Sequence, residues 1–323
     1  MALGEFELIA KYFADALAGR GDVVLGVGDD AALLRVPAGQ ELAVAVDTIV
    51  AGVHFPNDIA PDAIGHRALA VNLSDLAAMG ATPAWFTLAL TLPRAEETWV
   101  APFSEGLLRL ARQYEVSLVG GDTTSGPLAI TVQVMGYVAP GAAIRRSGAH
   151  AGDAIFVSGT LGDAAAGLAV LQGQIVAGSG DARAQLVERF LWPIPRVGLG
   201  LALVGVASAA IDVSDGLLGD LDKLLLASQA GAHVDVDALP ASAALRQIRD
   251  EAAVLRFAAS GGDDYELCFT VPEAKVDEVG RIGWRLQIPL TRIGTVETAR
   301  GLRCFSNAQP LEMQPAGFDH FSR

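Results

Sequence analysis

Ala209-Ala210-Ile211-Asp212-Val213-Ser214-Asp215-Gly216-Leu217 decides the fold class. Ala209–Val213 is a short apolar run, as a buried strand requires. Ser214-Asp215-Gly216 breaks the run, and Leu217–Ser228 carries on with helical spacing. A strand feeding a helix through a Gly-Asp turn is an α/β unit. Its two carboxylates, Asp212 and Asp215, flank Ser214 beside an apolar strand.

The same alternation extends in both directions. Glu5–Leu17 reads as an amphipathic helix, and Leu42–Val46 as a buried strand ending in Asp47. Pro61–Met79 is a helix opened by proline and closed by Gly80. Trp85–Leu92 is a strand, Glu97–Tyr114 a helix, and Ser117–Val119 a short strand ending at Gly120-Gly121-Asp122. Ile130–Val138 and Ala154–Ser158 are strands, and a helix follows Gly162. Ala258–Gly262 reads as a turn into the strand Glu266–Val271. Pro140-Gly141 marks the boundary between two domains, 1–140 and 141–323.

Composition narrows the function. The 323 residues carry a net charge of -14. Nucleic acid and anionic membrane surfaces both select basic faces, so neither is an expected partner. The only lysines are Lys11, Lys223 and Lys275, and no G-x-x-x-x-G-K-[ST] loop is present, which excludes a P-loop nucleotide site. Cys268 and Cys304 form no metal or disulfide pattern. The longest uncharged run, Leu76–Pro93, contains Gly80 and Pro83 and reads as a helix–strand turn, not a membrane span. The acidic amphipathic start lacks a secretory leader pattern, so the expected compartment is the cytoplasm.

Aspartates recur beside apolar segments: Asp29-Asp30 in Gly26–Ala31, then Asp47, Asp75, Asp122, Asp212 and Asp215. A carboxylate near a core must be capped, paired or metal-bound. With so few lysines, hard oxygen ligands of this kind suit Mg²⁺ or Mn²⁺. Simpler readings stand beside this one. Asp29 and Asp215 also suit helix N-caps, and Asp122 suits a turn. Asp75 lies mid-helix, where it cannot cap, with Asn72 on its stripe. His54 follows a strand end and also suits a surface loop. Arg145-Arg146 is either a solvated pair or a fork for phosphate, and Asp263-Asp264 opens a strand with doubled carboxylates.

In order along the chain, the motifs are Gly28-Asp29-Asp30-Ala31-Ala32, Val46-Asp47 with Gly52-Val53-His54-Phe55, Asn72–Ala81 and Gly120-Gly121-Asp122-Thr123-Thr124. Arg146-Ser147-Gly148 with Gly152-Asp153, Asp212–Leu217 and Gly261-Gly262-Asp263-Asp264-Tyr265-Glu266-Leu267 complete the set. Together they resemble the thiamine-monophosphate kinase family, in the superfamily of aminoimidazole ribonucleotide synthetase and selenophosphate synthetase. The resemblance runs from about Gly4 to Phe321.

The resemblance implies an α/β protein of two domains, the N-terminal mixed sheets of two subunits closing a barrel across a homodimer. It implies ATP and thiamine monophosphate as substrates, several Mg²⁺ ions, and no catalytic side chain beyond metal-assisted direct transfer. By resemblance, Asp30, Asp47, Asp75, Asp122, Asp212 and Asp215 are metal ligands. Tyr114, Gly121, Asp122, Arg146 and Ser214 would contact ATP, and His54, Asp263 and Phe318 the thiamine substrate. Ala45 and Val46 stand where the family carries hydroxyl residues, and Asp263 replaces its usual glutamate. Another enzyme of the superfamily and a non-catalytic nucleotide- or metal-binding protein are the alternatives. A selenophosphate synthetase would carry a reactive cysteine near its start, and this chain has none there.

Overall fold

The structure is a computed structural model that describes residues 4–13 and 20–313. Contacts divide the chain into two compact units, Met1–Leu76 with Ala81–Gly141, and Ala77–Gly80 with Ala142–Arg323.

The first unit runs α1 (Glu5–Tyr12), β1 (Val23–Leu25), β2 (Leu33–Leu34), β3 (Glu41–Val50), α2 (Pro61–Ala78), β4 (Thr82–Leu92), α3 (Glu97–Gln113), β5 (Ser117–Ser125) and β6 (Ala129–Val138). Its main sheet has the order β3-β6-β4-β5. β6 lies antiparallel between β3 and β4, and β5 runs parallel to β4, so the sheet is mixed. Helices α2 and α3 come unusually close. A side chain at Gly106 would sit 1.9 Å from the Asp62 carbonyl oxygen. Leu69, Leu73 and Leu76 of α2 are buried, as are Phe86 and Phe103. At the outer strand β3, Leu42, Val44 and Val46 are about half exposed, at 48%, 53% and 57%.

The second unit holds β7 (Ala154–Ser158), α4 (Asp163–Leu171), α5 (Gly180–Leu191), α6 (Val197–Leu203), β8 (Ala209–Val213), α7 (Leu217–Ser228), β9 (Gly231–Asp235), α8 (Glu251–Ser260), β10 (Glu266–Val271), α9 (Val276–Leu286), β11 (Leu290–Glu297), β12 (Gly301–Ser306) and β13 (Gln309–Leu311). The seven strands are ordered β13-β12-β9-β11-β7-β10-β8. Only β12 and β9 pair in parallel. Strands β7, β8 and β10 are buried along their whole length. That is why Ala154–Val157, Ala209–Ile211 and Leu267–Phe269 are continuous apolar runs and not alternating ones. Leu217, Leu218, Leu221, Leu224 and Leu225 of α7 close the core over this sheet. The expected two-domain α/β class is the observed one.

Four local expectations need correction. Helix α1 ends at Tyr12 with Phe13 outside helical geometry (φ -128°), and 14–17 of the expected helix lie outside the described residues. Strand β3 continues three residues past Asp47, which therefore lies inside a strand. Strand β5 continues to Ser125, placing Gly120-Gly121-Asp122 in mid-strand against β4 and excluding the turn reading of Asp122. Ala258–Ser260 is the last turn of α8, whose N-terminus is capped by the Asp250 carboxylate accepting from the Ala253 N–H. For β3 and β5, pairing with β6 and β4 overrides the local break signal.

Candidate functional site

In the second unit the turn between β8 and α7 is organised by a residue beyond it. Asp220, 1% exposed in the first turns of α7, turns one carboxylate oxygen, Oδ2, back toward the loop. That oxygen accepts the backbone N–H groups of Ser214 (3.0 Å), Asp215 (3.0 Å) and Gly216 (3.1 Å). The other oxygen accepts from Lys223 Nζ at 2.8 Å. Burial raises the Asp220 pKa, and the Lys223 ammonium opposes the rise. The loop passes close under α8, and a side chain at Gly216 (φ +126°) would lie 2.6 Å from the Ser260 carbonyl oxygen. Only glycine tolerates both that dihedral and that space.

Asp215 does not cap α7. Its carboxylate, one-third exposed, accepts from Lys223 Nζ at 2.5 Å. The expectation that the aspartates lack lysine partners therefore fails at this position. Lys223, one of the chain's three lysines, bridges Asp215 to Asp220. Asp29 is not a helix cap either. The described chain around it leads into β2, and its carboxylate accepts the N–H of the exposed Asp30 at 2.8 Å.

Asp263 lies beside this loop. Its N–H donates to the Ser214 carbonyl at 2.8 Å. Asp263 and Tyr265 both adopt left-handed backbone geometry, with φ of +67° and +50°. Such conformations cost on the order of 1–3 kcal/mol each and persist only when the surroundings fix them. Asp264, between them, supplies that fixing. It is 2% exposed, and its carboxylate accepts from Gly162 N–H at 2.6 Å and Ala164 N–H at 3.3 Å at the start of α4. Burial pushes the Asp264 pKa well up. The Tyr265 hydroxyl reaches Asp263 Oδ1 at 3.1 Å. The doubled carboxylates thus divide, Asp264 inward and Asp263 partly exposed.

Glu266 follows at the start of β10, fully buried. Ser158 Oγ donates to it at 2.6 Å, Arg189 Nη2 at 2.9 Å and Arg196 Nε at 2.6 Å. Burial alone would raise its pKa, but Arg196, Arg189 and Ser158 outweigh burial and hold it below the ordinary glutamate range. Asp212 is buried within β8, level with Leu267 of β10. Arg146 is exposed, and its carbonyl accepts from Ser228 Oγ at the far end of α7 from Ser214. Twelve helical residues separate those ends by about 18 Å.

In the first unit, Asp47 lies on β3 and Asp122 on β5, the two outer strands, with β6 and β4 between them. The sheet by itself does not bring them together. Asn72 of α2 ties Asp47 to the helix that carries Asp75. Its side-chain oxygen accepts the Asp47 N–H at 3.0 Å, and its amide donates to Ala68 O at 3.0 Å. Asp75 is half-buried in mid-helix. Gly121 permits the close approach of β5 to β4, since a side chain there would fall 1.9 Å from the Leu88 carbonyl oxygen. A cavity of about 50 Å³ lies under Gly120–Thr123, closed by Ile9 and Phe13. His54 turns Nδ1 back to accept the Val50 N–H at 3.0 Å, which puts the proton of a neutral ring on Nε2. Tyr114 is half-buried at the C-cap of α3. Phe318 lies outside the described residues.

Among the described residues, no three His, Cys, Asp or Glu side chains converge into a ready-made cation cage. The donor chemistry still fits a hard divalent ion. The donors are carboxylate oxygens, and at Asp215 an ammonium ion already stands against the carboxylate. Sequence reasoning missed Asp220, Lys223, Asp264 and the Glu266–Arg189–Arg196 cluster. Asp220 and Lys223 carried a readable signal, a carboxylate and one of three lysines spaced i, i+3 on a helix that opens beside Asp215.

The chain matches the family models for AIR synthase related protein, N-terminal domain, over residues 28–138, and AIR synthase related protein, C-terminal domain, over residues 150–306. It is 50% identical to a thiamine-monophosphate kinase of Salmonella typhimurium, over 100% of this chain and 99% of the relative. The chain belongs to the thiamine-monophosphate kinase family. Membership of that kinase family makes it an enzyme. The crystal structure of the family member from Stenotrophomonas maltophilia superposes with a TM-score of 0.87 at 47% identity, covering 96% of this chain and 99% of that one. AaThiL, solved in complex with AMPPCP and TMP, superposes at 0.78 with 31% identity, covering 89% of each chain.

Proposed function

We propose that the chain transfers the γ-phosphoryl group of ATP to thiamine monophosphate, yielding ADP and thiamine diphosphate. The observation that carries this reading is the bond from Asp263 to Ser214. It joins the residue proposed to meet the acceptor to the loop proposed to meet the nucleotide. The complex of AaThiL with AMPPCP and TMP supports the same pair of substrates.

Asp30, Asp47, Asp75, Asp122, Asp212 and Asp215 would hold several Mg²⁺ ions. Bound there, Mg²⁺ would screen two polyanionic phosphates from each other and neutralise charge on the transferred group. Backbone carbonyls would serve where Ala45 and Val46 offer no hydroxyl. Ser214, Gly121, Asp122 and Tyr114 would each contact the nucleotide, and the Arg146 guanidinium would grip a phosphate as a two-pronged donor. Arg146 and Ser214, held at opposite ends of α7, suit an extended nucleotide. The Asp263 carboxylate would meet the cationic thiazolium, and His54 and Phe318 would contact the organic end. The acceptor oxygen is already ionised at neutral pH, so transfer is direct and in-line, without a general base or a phosphoenzyme.

Residues 1–140 form the metal- and ATP-binding dimerisation domain in this reading, and 141–323 the second α/β domain. Dimerisation would pair the β3 edges into a barrel, covering Leu42, Val44 and Val46. An exposed apolar edge strand otherwise invites uncontrolled pairing. Cys268 and Cys304, both buried free thiols, agree with a cytoplasmic enzyme. No helix among the described residues is long and apolar enough to cross a membrane. The test is ADP release with and without thiamine monophosphate. Release that ignores the acceptor would leave only an ATPase.

A further inference from the structure

We propose that Lys223 is a place-holder for the cation at Asp215: its ammonium pairs with Asp215 in the metal-free protein, yields that carboxylate to an arriving divalent ion, and stays on Asp220. The inference rests on the reading of Asp215 as a metal ligand.

The geometry separates two jobs. Asp220 holds the loop through Oδ2, which takes all three N–H groups of Ser214, Asp215 and Gly216. Those N–H groups are thereby used, so the backbone of this turn offers no anion nest, and what reaches ligand here is side chain. Lys223 meets the other Asp220 oxygen, Oδ1, at 2.8 Å, and Asp215 Oδ2 at 2.5 Å. The two carboxylates differ in their surroundings. Asp220 is 1% exposed and fixed by the loop, whereas Asp215 is 33% exposed. An ammonium shared between them loses less by leaving the solvated partner. Lys223 is itself 43% exposed, so its flexible stem can move toward water without disturbing the core.

This arrangement meets a need set by the sequence. Without Lys223 or an ion, Asp215 would stand as an unpaired carboxylate close to buried Asp220, in a chain of net charge -14. Like charges so placed push the loop apart. One bridging lysine offsets that repulsion until the metal arrives. The cost is competition, since a fixed positive charge beside a ligand weakens cation binding.

The test is direct binding of Mn²⁺ to the full chain, followed by electron paramagnetic resonance, without nucleotide. Lys223→Gln keeps a donor for Asp220 and removes the charge. It should tighten the Asp215-dependent class of Mn²⁺ sites by roughly three- to ten-fold or more, the lower bound being the scale for one unit charge a few ångströms away that water screens almost fully. Lys223→Arg should bind like wild type. Asp215→Asn should weaken or remove that class, and Lys223→Gln added to Asp215→Asn should change nothing further. If Asp215→Asn removes the class but Lys223→Gln leaves it unchanged or weaker, the place-holder role is wrong while Asp215 remains a ligand. If Asp215→Asn alters no Mn²⁺ class, the ligand reading falls and this inference with it. Circular dichroism identifies any variant that fails to fold. In that case Asp220→Asn, whose amide oxygen can still accept the loop N–H groups while Lys223 is left with Asp215 as its one anionic partner, should weaken Mn²⁺ binding; unchanged binding there would overturn the proposal.

Discussion

The Asp263 N–H donates to the Ser214 carbonyl at 2.8 Å, so the loop that opens α7 and the loop that opens β10 are one hydrogen-bonded corner. Each loop is anchored from behind by a buried carboxylate, Asp220 for the first and Asp264 for the second. The partly exposed Asp215 and Asp263 thus sit on loops held by acids that are themselves buried. This division lets a turn rich in carboxylates stay ordered.

Asp264→Ala should therefore act through Asp263. It strands the Gly162 and Ala164 N–H groups, a loss of about 1–3 kcal/mol in urea unfolding. It also releases the left-handed Asp263, so KM for thiamine monophosphate should rise several-fold more than KM for ATP. A stability loss with both KM values unchanged would make Asp264 purely structural.

Glu266→Gln leaves two guanidiniums facing a neutral amide. We expect a loss of about 3–5 kcal/mol at neutral pH, the scale for breaking a buried pair from one side. The sign of the pH dependence follows from the lowered Glu266 pKa. Its contribution is present above the ordinary glutamate value, near 4.3, and fades as pH falls through the folded-state value. The stability gap between wild type and Glu266→Gln should narrow in acid. A gap that widens on acidification would contradict this.

Much of the frame was legible because the local signals were strong. Leu217–Ser228, Ala154–Ser158 and Glu266–Val271 fall where apolar runs meet Gly-Asp breaks. The Asn72–Asp75 stripe is readable from helical spacing, whereas the bond from the Asp47 N–H to Asn72 is not. Asp122 was harder. Gly-Gly-Asp-Thr-Thr is a turn by composition, and only the adjoining β4, which requires glycine at 121 to approach, makes it a strand. The i, i+3 spacing signals only the pairing of Asp220 with Lys223, and the loop-holding roles of Asp220 and Asp264 are hidden for a related reason. Their partners are backbone N–H groups, which leave no trace in side-chain identity. Glu266 finds Arg189 and Arg196 some seventy residues away, a distance no local pattern spans.

Gly121→Ala tests the approach of β5 to β4. The added methyl would meet the Leu88 carbonyl oxygen at 1.9 Å, so the strands must separate. We expect about 1–3 kcal/mol of destabilisation and a raised KM for ATP. Normal stability would show that the strands are not so close.

Asp75→Asn should leave the fold intact and cut turnover by on the order of 10²-fold or more, because a charged ligand near the reacting phosphates is lost. Asp75 neither caps nor closes α2. Near-normal turnover would make it idle. In the same assay, rate should keep rising with free Mg²⁺ after ATP is fully complexed. A flat response would leave no need for more than one ion.

The most direct test of the proposed reaction is acceptor choice. Steady-state formation of thiamine diphosphate and ADP should be measured with thiamine monophosphate and with free thiamine as competing acceptors at fixed MgATP. The account predicts equal amounts of the two products from thiamine monophosphate and almost no turnover of free thiamine, since only a phosphate acceptor arrives ionised and able to share the metal sites. Phe318→Ala should raise KM for the acceptor by a few-fold to about thirty-fold, the worth of one cation–π contact, and leave KM for ATP near wild type. Comparable rates with free thiamine, or a Phe318→Ala effect confined to ATP, would contradict the proposed substrate.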